Sequence, residues 1–468
     1  AIEDVSGAFN NLRAKGAALV SNLFGSNVVK YVPSYVIEVN GSRAGGDIEG
    51  SVLDIRVTDR VDAPSSFAIT LSDPERKFTD SDELFIGAEV KIKMGYKDSL
   101  EEMIDGEVTG MRAHFRQNDA DTVTIIGHNR MHRLDRNKVN RSYGISTPFF
   151  TLAFTEADVI RQMALENGFI PLVGFFGQRI AFQLQKEESD LEYILRVAGK
   201  YNQRVYVDGN MLFVIPMIPK IDPNAILEWQ KSLKEFYVDQ STLGLVTNVT
   251  MRGVDHKGTD LSAQVDSNKV LFRIGGLTMG ASISEKAFGK GEAIVVNYDA
   301  PDQKSIESMA IDYLTENSME YILGQGRCQG NMAVRAMTLL TVLGVGSNYS
   351  GAYYVTEARH RISPYFGYET DFNCVRNVSM KMPGIMDIMS GDIVNNLLES
   401  AGLDGVADMV GQAVDVYNEV NDAITGAMEK IQEFLDILEQ ARRAAKEQIN
   451  KVKKMVLDRL RDVKKQID

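Results

Sequence analysis

Residues 88–94 read Ala-Glu-Val-Lys-Ile-Lys-Met, with apolar side chains at every second position. This alternation is typical of a strand that buries one face. Five further runs of similar length lie around it, at 35–39, 51–57, 66–71, 105–111 and 122–126. Turn-forming pairs such as Asn40-Gly41 and Asp73-Pro74 separate the runs. We therefore predict a small antiparallel β-barrel or sandwich over residues 34–136.

Residues 137–240 have a mixed pattern that predicts an α/β insertion. Thr155 with Asp158, and Ser189 with Glu192, have the spacing of a capping box, and apolar residues at helical spacing follow each pair. An Asp208-Gly209-Asn210 turn between two apolar runs predicts a hairpin.

Strand-like runs return in residues 241–382. They lie at 245–251, 292–298, 337–342, 351–357 and 369–378, and a predicted helix at 305–315 interrupts them. A second small β-barrel with a helix is the expected structure. The two β units are similar in size, which suggests a duplicated architecture, although no sequence repeat is visible. The predicted fold class is α+β, mainly β.

Both ends of the chain have helical patterns. Residues 1–33 predict an N-terminal helical arm, and residues 383–468 a C-terminal helical, coiled-coil extension. The proposed partner-binding positions of the extension are Ile424, Ile431, Leu438, Ile449, Val452 and Val456. Residues 441–468 carry a net charge of +6 and the remainder −19. This extension could pack on its own protein, form a three-stranded coil that docks on an acidic partner, or contact nucleic acid.

Composition limits the function classes. The chain has 468 residues, enough for two to four domains, and a formal net charge of −13, which argues against nonspecific nucleic-acid binding. Cys328 and Cys374 are too few for a disulfide framework or a thiolate zinc site. The first residues lack a secretory signal, and no apolar run is long enough to span a membrane. We expect assembly in the cytoplasm.

No constellation of residues predicts an active site, a cofactor site or a metal site. His128 and His132 have metal-ligand spacing but lack the Glu that would activate water, so a polar loop is expected. The glycine-rich run 324–330 follows a predicted helix and precedes a predicted strand, the reverse of the order in phosphate-binding loops, and is expected to be a flexible turn. Acidic pairs such as Glu187-Glu188 predict a solvated face.

Three passages together resemble the phage late control protein D family, which is also similar to the hub portion of type VI secretion spike proteins. The first passage runs from Phe85-Ile-Gly87 to Asp105-Gly-Glu-Val-Thr109-Gly110. The second runs from Ile126-Gly127-His128 through Arg133-Leu134 to Ser189-Asp190-Leu-Glu-Tyr-Ile-Leu195. The third runs from Tyr349-Ser-Gly351 through His360 and Gly367-Tyr368-Glu-Thr370 to Arg376. Their order and spacing cover residues 34–380.

The resemblance implies a non-enzymatic baseplate hub of a contractile phage tail or a related injection particle. In such a homotrimer each chain contributes two β-barrel tube domains, so the ring matches a hexameric tail tube above and a trimeric spike below. Implied partners are the tube protein, a separate spike protein and other baseplate proteins, with DNA passing through the channel without sequence-specific binding. The implied location is the virion tail baseplate. The alternative is a peptidoglycan-degrading tail enzyme.

Overall fold

The computed structural model describes residues 32–379. Gaps in this description fall at 82, 98, 144, 147–150, 153, 175, 178, 181–182, 218, 255–257, 275–277 and 297–301. Almost all of the predicted N-terminal arm and the whole C-terminal extension lie outside the described residues, so both remain predictions.

The first β unit is an antiparallel sheet built from the alternating runs near the start of the chain. Its elements are β1 (Pro33–Val39), β2 (Ser42–Arg43), α1 (Gly46–Gly50), β3 (Val52–Arg60), β4 (Ser66–Ser72), β5 (Glu89–Tyr96), β6 (Ser99–His114) and β7 (Thr122–Asn129). The strand order is β3-β4-β7-β6-β5-β1-β2. Alternate side chains such as Ile37, Ile69 and Ile92 are buried in one apolar cluster, as the period of two predicted.

An α/β segment follows. Its elements are β8 (Val139–Tyr143), β9 (Ile145–Ser146), β10 (Thr151–Leu152), β11 (Phe154–Thr155), α2 (Glu156–Glu166), β12 (Ile170–Val173), β13 (Arg179–Ile180), β14 (Gln183–Glu188), α3 (Asp190–Lys200), β15 (Gln203–Asp208) and β16 (Met211–Pro216). Both capping boxes are confirmed, because the Thr155 and Ser189 side chains accept from the third backbone N–H of α2 and α3. The hairpin across Gly209 joins β15 to β16.

The rest of the described chain forms two further groups. Its elements are β17 (Ile226–Glu228), β18 (Leu233–Gln240), β19 (Asn248–Val254), β20 (Asp260–Asp266), β21 (Thr278–Met279), α4 (Gly280–Phe288), β22 (Glu292–Val296), α5 (Gln303–Ser318), β23 (Ile322–Gln329), β24 (Leu339–Leu343), β25 (Gly351–Ser363), β26 (Gly367–Arg376) and β27 (Val378–Ser379). The second β unit has the order β18-β23-β26-β25, with β24 and β17 beside β25.

Strands β19 and β22 are not in the second β unit, although the sequence placed their runs there. They form a separate sheet of order β20-β19-β22, in which β19 and β22 are parallel. Helix α5 covers this sheet, and its Ile306, Met309 and Leu314 share an apolar cluster with Val249 and Val265. A period of two does not reveal which sheet a strand joins, and this explains the difference.

The two β units share one pairing register. Strands β3-β4-β7-β6 correspond to β18-β23-β26-β25, and the register shifts fall at equivalent places. The shift between Val108 and Gly110 in β6 corresponds to the one between Val355 and Glu357 in β25. In both units the valine before the shift, Val108 or Val355, forms backbone hydrogen bonds to a neighbouring segment through its amide and its carbonyl. The Val108 N–H donates to Ala88 O at 2.9 Å, and the Val355 N–H donates to Thr338 O at 3.0 Å.

Candidate assembly interface

The two β units are joined edge to edge into one sheet of 13 strands. Strand β25 pairs antiparallel with β3 through six residue pairs, from Glu357 opposite Arg60 to Ile362 opposite Ile55. We call this pairing the internal seam. Backbone hydrogen bonds across the internal seam satisfy two strand edges that would otherwise be open to other chains.

Two ion pairs cross the internal seam on its solvent side. Arg60 Nε donates to Glu357 Oε2 at 2.9 Å, and Arg361 Nε donates to Asp54 Oδ1 at 2.5 Å. These side chains are between 13% and 42% exposed, so each pair stabilises the seam by only about 0.2–1 kcal/mol. Opposite charges across two strands chiefly fix which residues face each other.

A more enclosed ion pair anchors the loop before β24 to the internal seam. Arg335 Nε donates to Asp59 Oδ2 at 2.7 Å, and the Ala336 N–H donates to the same oxygen at 3.2 Å. The Arg335 guanidinium also donates to Met103 O at 3.0 Å. Burial opposes ionisation of Asp59, but the adjacent Arg335 outweighs it and holds the pKa of that carboxyl below its usual value. One arginine therefore joins β3, β6 and the loop.

His360 lies opposite Val57 in the internal seam and is fully buried. Its Nε2 is 3.0 Å from Val334 O, which can only accept, so the proton is on Nε2. Its Nδ1 is 2.9 Å from the Tyr368 hydroxyl. Burial lowers the pKa of His360 to about 3, and the ring is neutral at physiological pH. Its contacts are those of a structural histidine.

The sequence did not single out Asp59 and Arg335 as partners. Asp59 ends an alternating strand, and Arg335 precedes an apolar run. They are far apart in sequence, and the β3–β25 pairing that brings their segments together is set by tertiary structure. The sequence signal that could have indicated this ion pair is the position of Arg335 between Val334 and Ala336, because a cation among apolar residues is rarely left without a partner.

Within the described residues, each β unit also has one open strand edge at the place where the internal seam would continue. In the first unit it is the C-terminal half of β6, which pairs only with β7 among the described residues. In the second unit it is the outer edge of β18, whose one described strand partner is β23. By register, β6 is equivalent to β25, and β18 to β3. In the part of the chain that the structure describes, the two edges are thus unpaired copies of the two strands that form the internal seam.

Exposed side chains mark both open edges. Phe115, directly after β6, is 55% exposed, and Tyr237 on β18 is 66% exposed. Arg112 and Asp239 are exposed as well. In the internal seam the counterparts of Phe115 and Asp239, Ile362 and Thr58, are buried, whereas those of Tyr237 and Arg112, Arg56 and Arg359, stay exposed on the outer face. Open, partly apolar edges are sites where another chain can add a strand.

Of the two histidines that were expected in a polar loop, His132 holds the turn after β7 against β6, whereas His128 lies within strand β7. His132 Nε2 is 3.0 Å from Glu107 Oε2, and Arg133 Nε donates to the same oxygen at 2.9 Å. His128 contacts Thr109 instead, with 2.8 Å between Nδ1 and Oγ1. Burial opposes ionisation of Glu107, but hydrogen bonds from Arg133 and His132 lower its pKa. The carboxylate is thus occupied by cationic and polar side chains.

The glycine-rich run 324–330 corrects one expectation. Most of it is strand β23, not a flexible turn. A Cβ on Gly326 would lie 2.4 Å from the Phe372 ring, so glycine is needed for packing against β26. Glu188, one of the acidic pair, bonds Arg196 at 2.6 Å.

The proposed partner-binding residues of the C-terminal extension, Ile424, Ile431, Leu438, Ile449, Val452 and Val456, lie outside the described residues. Their role stays a prediction. Within the described part of the chain, no helix is long and apolar enough to cross a membrane. The same part contains no group of three or more His, Cys, Asp or Glu side chains placed to hold a metal ion.

Most of the chain matches one known protein family. The Alg8 N-terminal domain family matches residues 30–364, which include both β units up to the end of β25. The chain belongs to the Alg8 N-terminal domain family. This is a different family from late control protein D, to which the motifs pointed. No curated protein matches the chain.

Solved structures of tail proteins share the fold. The 43 kDa tail protein of prophage MuSo2 from Shewanella oneidensis has a TM-score of 0.55 at 12% identity, covering 74% of this chain and 98% of that one. The tail protein from Neisseria meningitidis MC58 has a TM-score of 0.54 at 11% identity, covering 74% and 97%. A fold of the tail-protein kind is what the motif resemblance implied.

Proposed function

We propose that this protein is a non-enzymatic structural hub in the baseplate of a contractile phage tail or a related injection particle. The observation that carries the proposal is the repeated register of two β units joined edge to edge in one chain. A structural role is consistent with the tail-protein fold and with the late control protein D resemblance. It requires no catalytic group, cofactor or metal.

The duplication supplies a physical route from threefold to sixfold symmetry. Each copy contributes two β units of equivalent strand order, so a homotrimer presents six similar units around an axis. Such a ring can bind a hexameric tail tube on one face and a trimeric spike, encoded as a separate protein, on the other. Loops of the six units recruit the first tube ring.

The charge distribution suits a channel through which DNA or an effector passes. Outside residues 441–468 the chain has a net charge of −19. An acidic surface gains no counterion release from phosphates, so DNA binds weakly and can slide. The basic extension is proposed to contact the spike or neighbouring baseplate proteins. Deleting residues 417–468 is expected to leave the ring intact and to weaken those attachments.

The assembly state tests the proposal directly. Light scattering on the full chain is expected to show about 156 kDa, three times the 51.9 kDa of one copy, and electron microscopy a ring with six similar lobes. A monomer at every concentration, or a ring without six lobes, would contradict the proposal. A chain that loses its trimer on deletion of 417–468 would show that the extension drives assembly.

Zymography addresses the alternative of a peptidoglycan-degrading enzyme. No clearing of purified cell walls is expected from the full chain, with lysozyme as the positive control. Clearing by this protein would favour the enzyme and count against a purely structural hub.

A further inference from the structure

We propose that neighbouring copies join by a second seam, in which the C-terminal half of β6 of one copy pairs antiparallel with β18 of the next. We call this the intercopy seam. The inference rests on the trimeric ring proposed above and identifies the two surfaces that close it. Its template is the internal seam, since β6 is equivalent to β25 and β18 to β3 by register.

The register of the intercopy seam follows residue by residue from the internal one. Glu357 opposite Arg60 becomes Gly110 opposite Ser241, and Ile362 opposite Ile55 becomes Phe115 opposite Phe236. The pairs between them are Met111 with Gln240, Arg112 with Asp239, Ala113 with Val238, and His114 with Tyr237. This assignment has no adjustable shift, because the bulges in each unit fix the equivalence.

The side chains that the transferred register brings together are complementary. Arg112 faces Asp239, and both are exposed in the single copy. Opposite charges directly across two strands stabilise the pairing, whereas like charges destabilise it. Phe115 meets Phe236, where the internal seam has Ile362 against Ile55.

A second charge relation is also preserved. In the internal seam Arg361 bonds Asp54 diagonally across the strands. The transferred positions are His114 and Glu235, so a basic side chain again lies diagonally across from a carboxylate. Both side chains are exposed in the single copy, so they are available to a partner.

A second copy is the occupant that the geometry favours. Each copy has one edge of each kind, so the contact is head to tail, and repetition of such a contact closes a ring when the rotation fits. If the intercopy seam repeats the step of the internal seam, three copies supply six equivalent steps. The β6 and β18 edges of all three copies are then paired, which removes the hazard of uncontrolled strand addition at these two edges.

Cysteine pairs provide the test. Ala113→Cys with Val238→Cys places thiols at opposed positions, and native Cys328 and Cys374 are buried and leave the background low. Opposed residues in antiparallel strands alternate between close and wide Cα spacing, and disulfide formation depends on that spacing. The double variant Arg112→Cys with Asp239→Cys therefore tests the neighbouring pair as well. Mild oxidation of a double variant is expected to give covalent dimers and trimers.

Mixing the two single variants is expected to give covalent dimers only. Each single variant alone is expected to give none. Ala113→Cys combined with Lys304→Cys, an exposed position on α5, is the matched control and should stay uncrosslinked.

A charge swap tests the pairing without new covalent chemistry. Arg112→Glu and Asp239→Lys are each expected to raise the concentration at which the trimer dissociates by about fivefold. The double variant is expected to return that concentration close to the wild-type value. Both sites are exposed, so circular dichroism should be unchanged in all three variants.

The outcomes separate this seam from the hub proposal. The intercopy seam would be overturned by a trimer that forms no crosslink at either pair and whose dissociation concentration does not change with the charge swap. That result would not contradict the hub proposal. A crosslink closed within one copy would also overturn the seam. Crosslinking that appears only after residues 1–31 or 383–468 are deleted would show that a terminal segment occupies the edge in the full chain, and would overturn the seam. A monomer at every concentration would overturn both proposals.

Discussion

Replacing Asp59 by Asn tests the reasoning about the internal seam. The change keeps the size of the side chain and an oxygen that can accept from the Ala336 N–H, but it removes the negative charge beside Arg335. Removing one partner of a fully buried ion pair costs about 3–5 kcal/mol. The Arg335 and Asp59 side chains are 28% and 17% exposed, so solvent screening reduces the expected loss to about 2 kcal/mol.

The loss should depend on pH in a direction set by the lowered pKa of Asp59. A carboxyl with a lowered folded-state pKa stabilises the protein above its unfolded value, about 3.9, and that stability is lost as pH falls through the folded pKa. The difference between wild type and Asp59→Asn is therefore full at pH 7 and shrinks below about pH 4. Urea unfolding followed by Trp229 fluorescence measures it, since Trp229 bonds the end of β24.

Glu357→Gln is the matched control. It removes a charge from the same seam, but the Arg60 and Glu357 side chains are 42% and 21% exposed, and the expected loss is about 0.5 kcal/mol. Equal losses in the two variants, or a loss in Asp59→Asn that is the same at pH 7 and pH 3.5, would refute the argument that Arg335 joins the loop to the seam through charge.

Three further predictions concern other parts of the described chain. Burial raises the pKa of Asp312 to about 7. The charged carboxylate therefore destabilises the fold fully above pH 7 and not at all below about pH 4. Asp312→Asn should raise the melting temperature at pH 8 and leave it unchanged at pH 4. A Cβ on Gly127 would lie 2.1 Å from the Phe67 ring, so Gly127→Ala should cost at least about 2 kcal/mol in urea unfolding, whereas Gly110→Ala, with open space around it, should be neutral. Ser189→Ala removes the cap of α3 and should cost about 1 kcal/mol, with faster amide hydrogen exchange confined to the first turn of that helix.

Local features were well predicted because they depend on neighbours in sequence. The alternating run 88–94 lies almost entirely within β5, and the capping boxes at Thr155 and Ser189 begin α2 and α3. Each signal reports which face of an element is buried or how its end is satisfied, and neither depends on what the element packs against.

Pairing between distant strands was not predictable in the same way. The run 324–330 contains three glycines and was expected to be a turn, but it is a strand whose glycines make room for side chains of β26. The duplication was invisible for a related reason. Equivalent positions hold different side chains, since Phe67 opposite Gly127 in the first unit corresponds to Gly324 opposite Cys374 in the second. The strand register is repeated in the two units, whereas the residue types are not.

The amino-acid sequence alone determined the mainly β character, the helix starts and the acidic charge, because hydrophobic period, capping and ionisable groups act over a few residues or by simple addition. The tertiary structure alone decided that β25 pairs with β3, that Arg335 finds Asp59, and that β6 and β18 have open edges among residues 32–379 as described. Strand registers are chosen by the total burial and hydrogen bonding of whole sheets, which no local run of residues encodes.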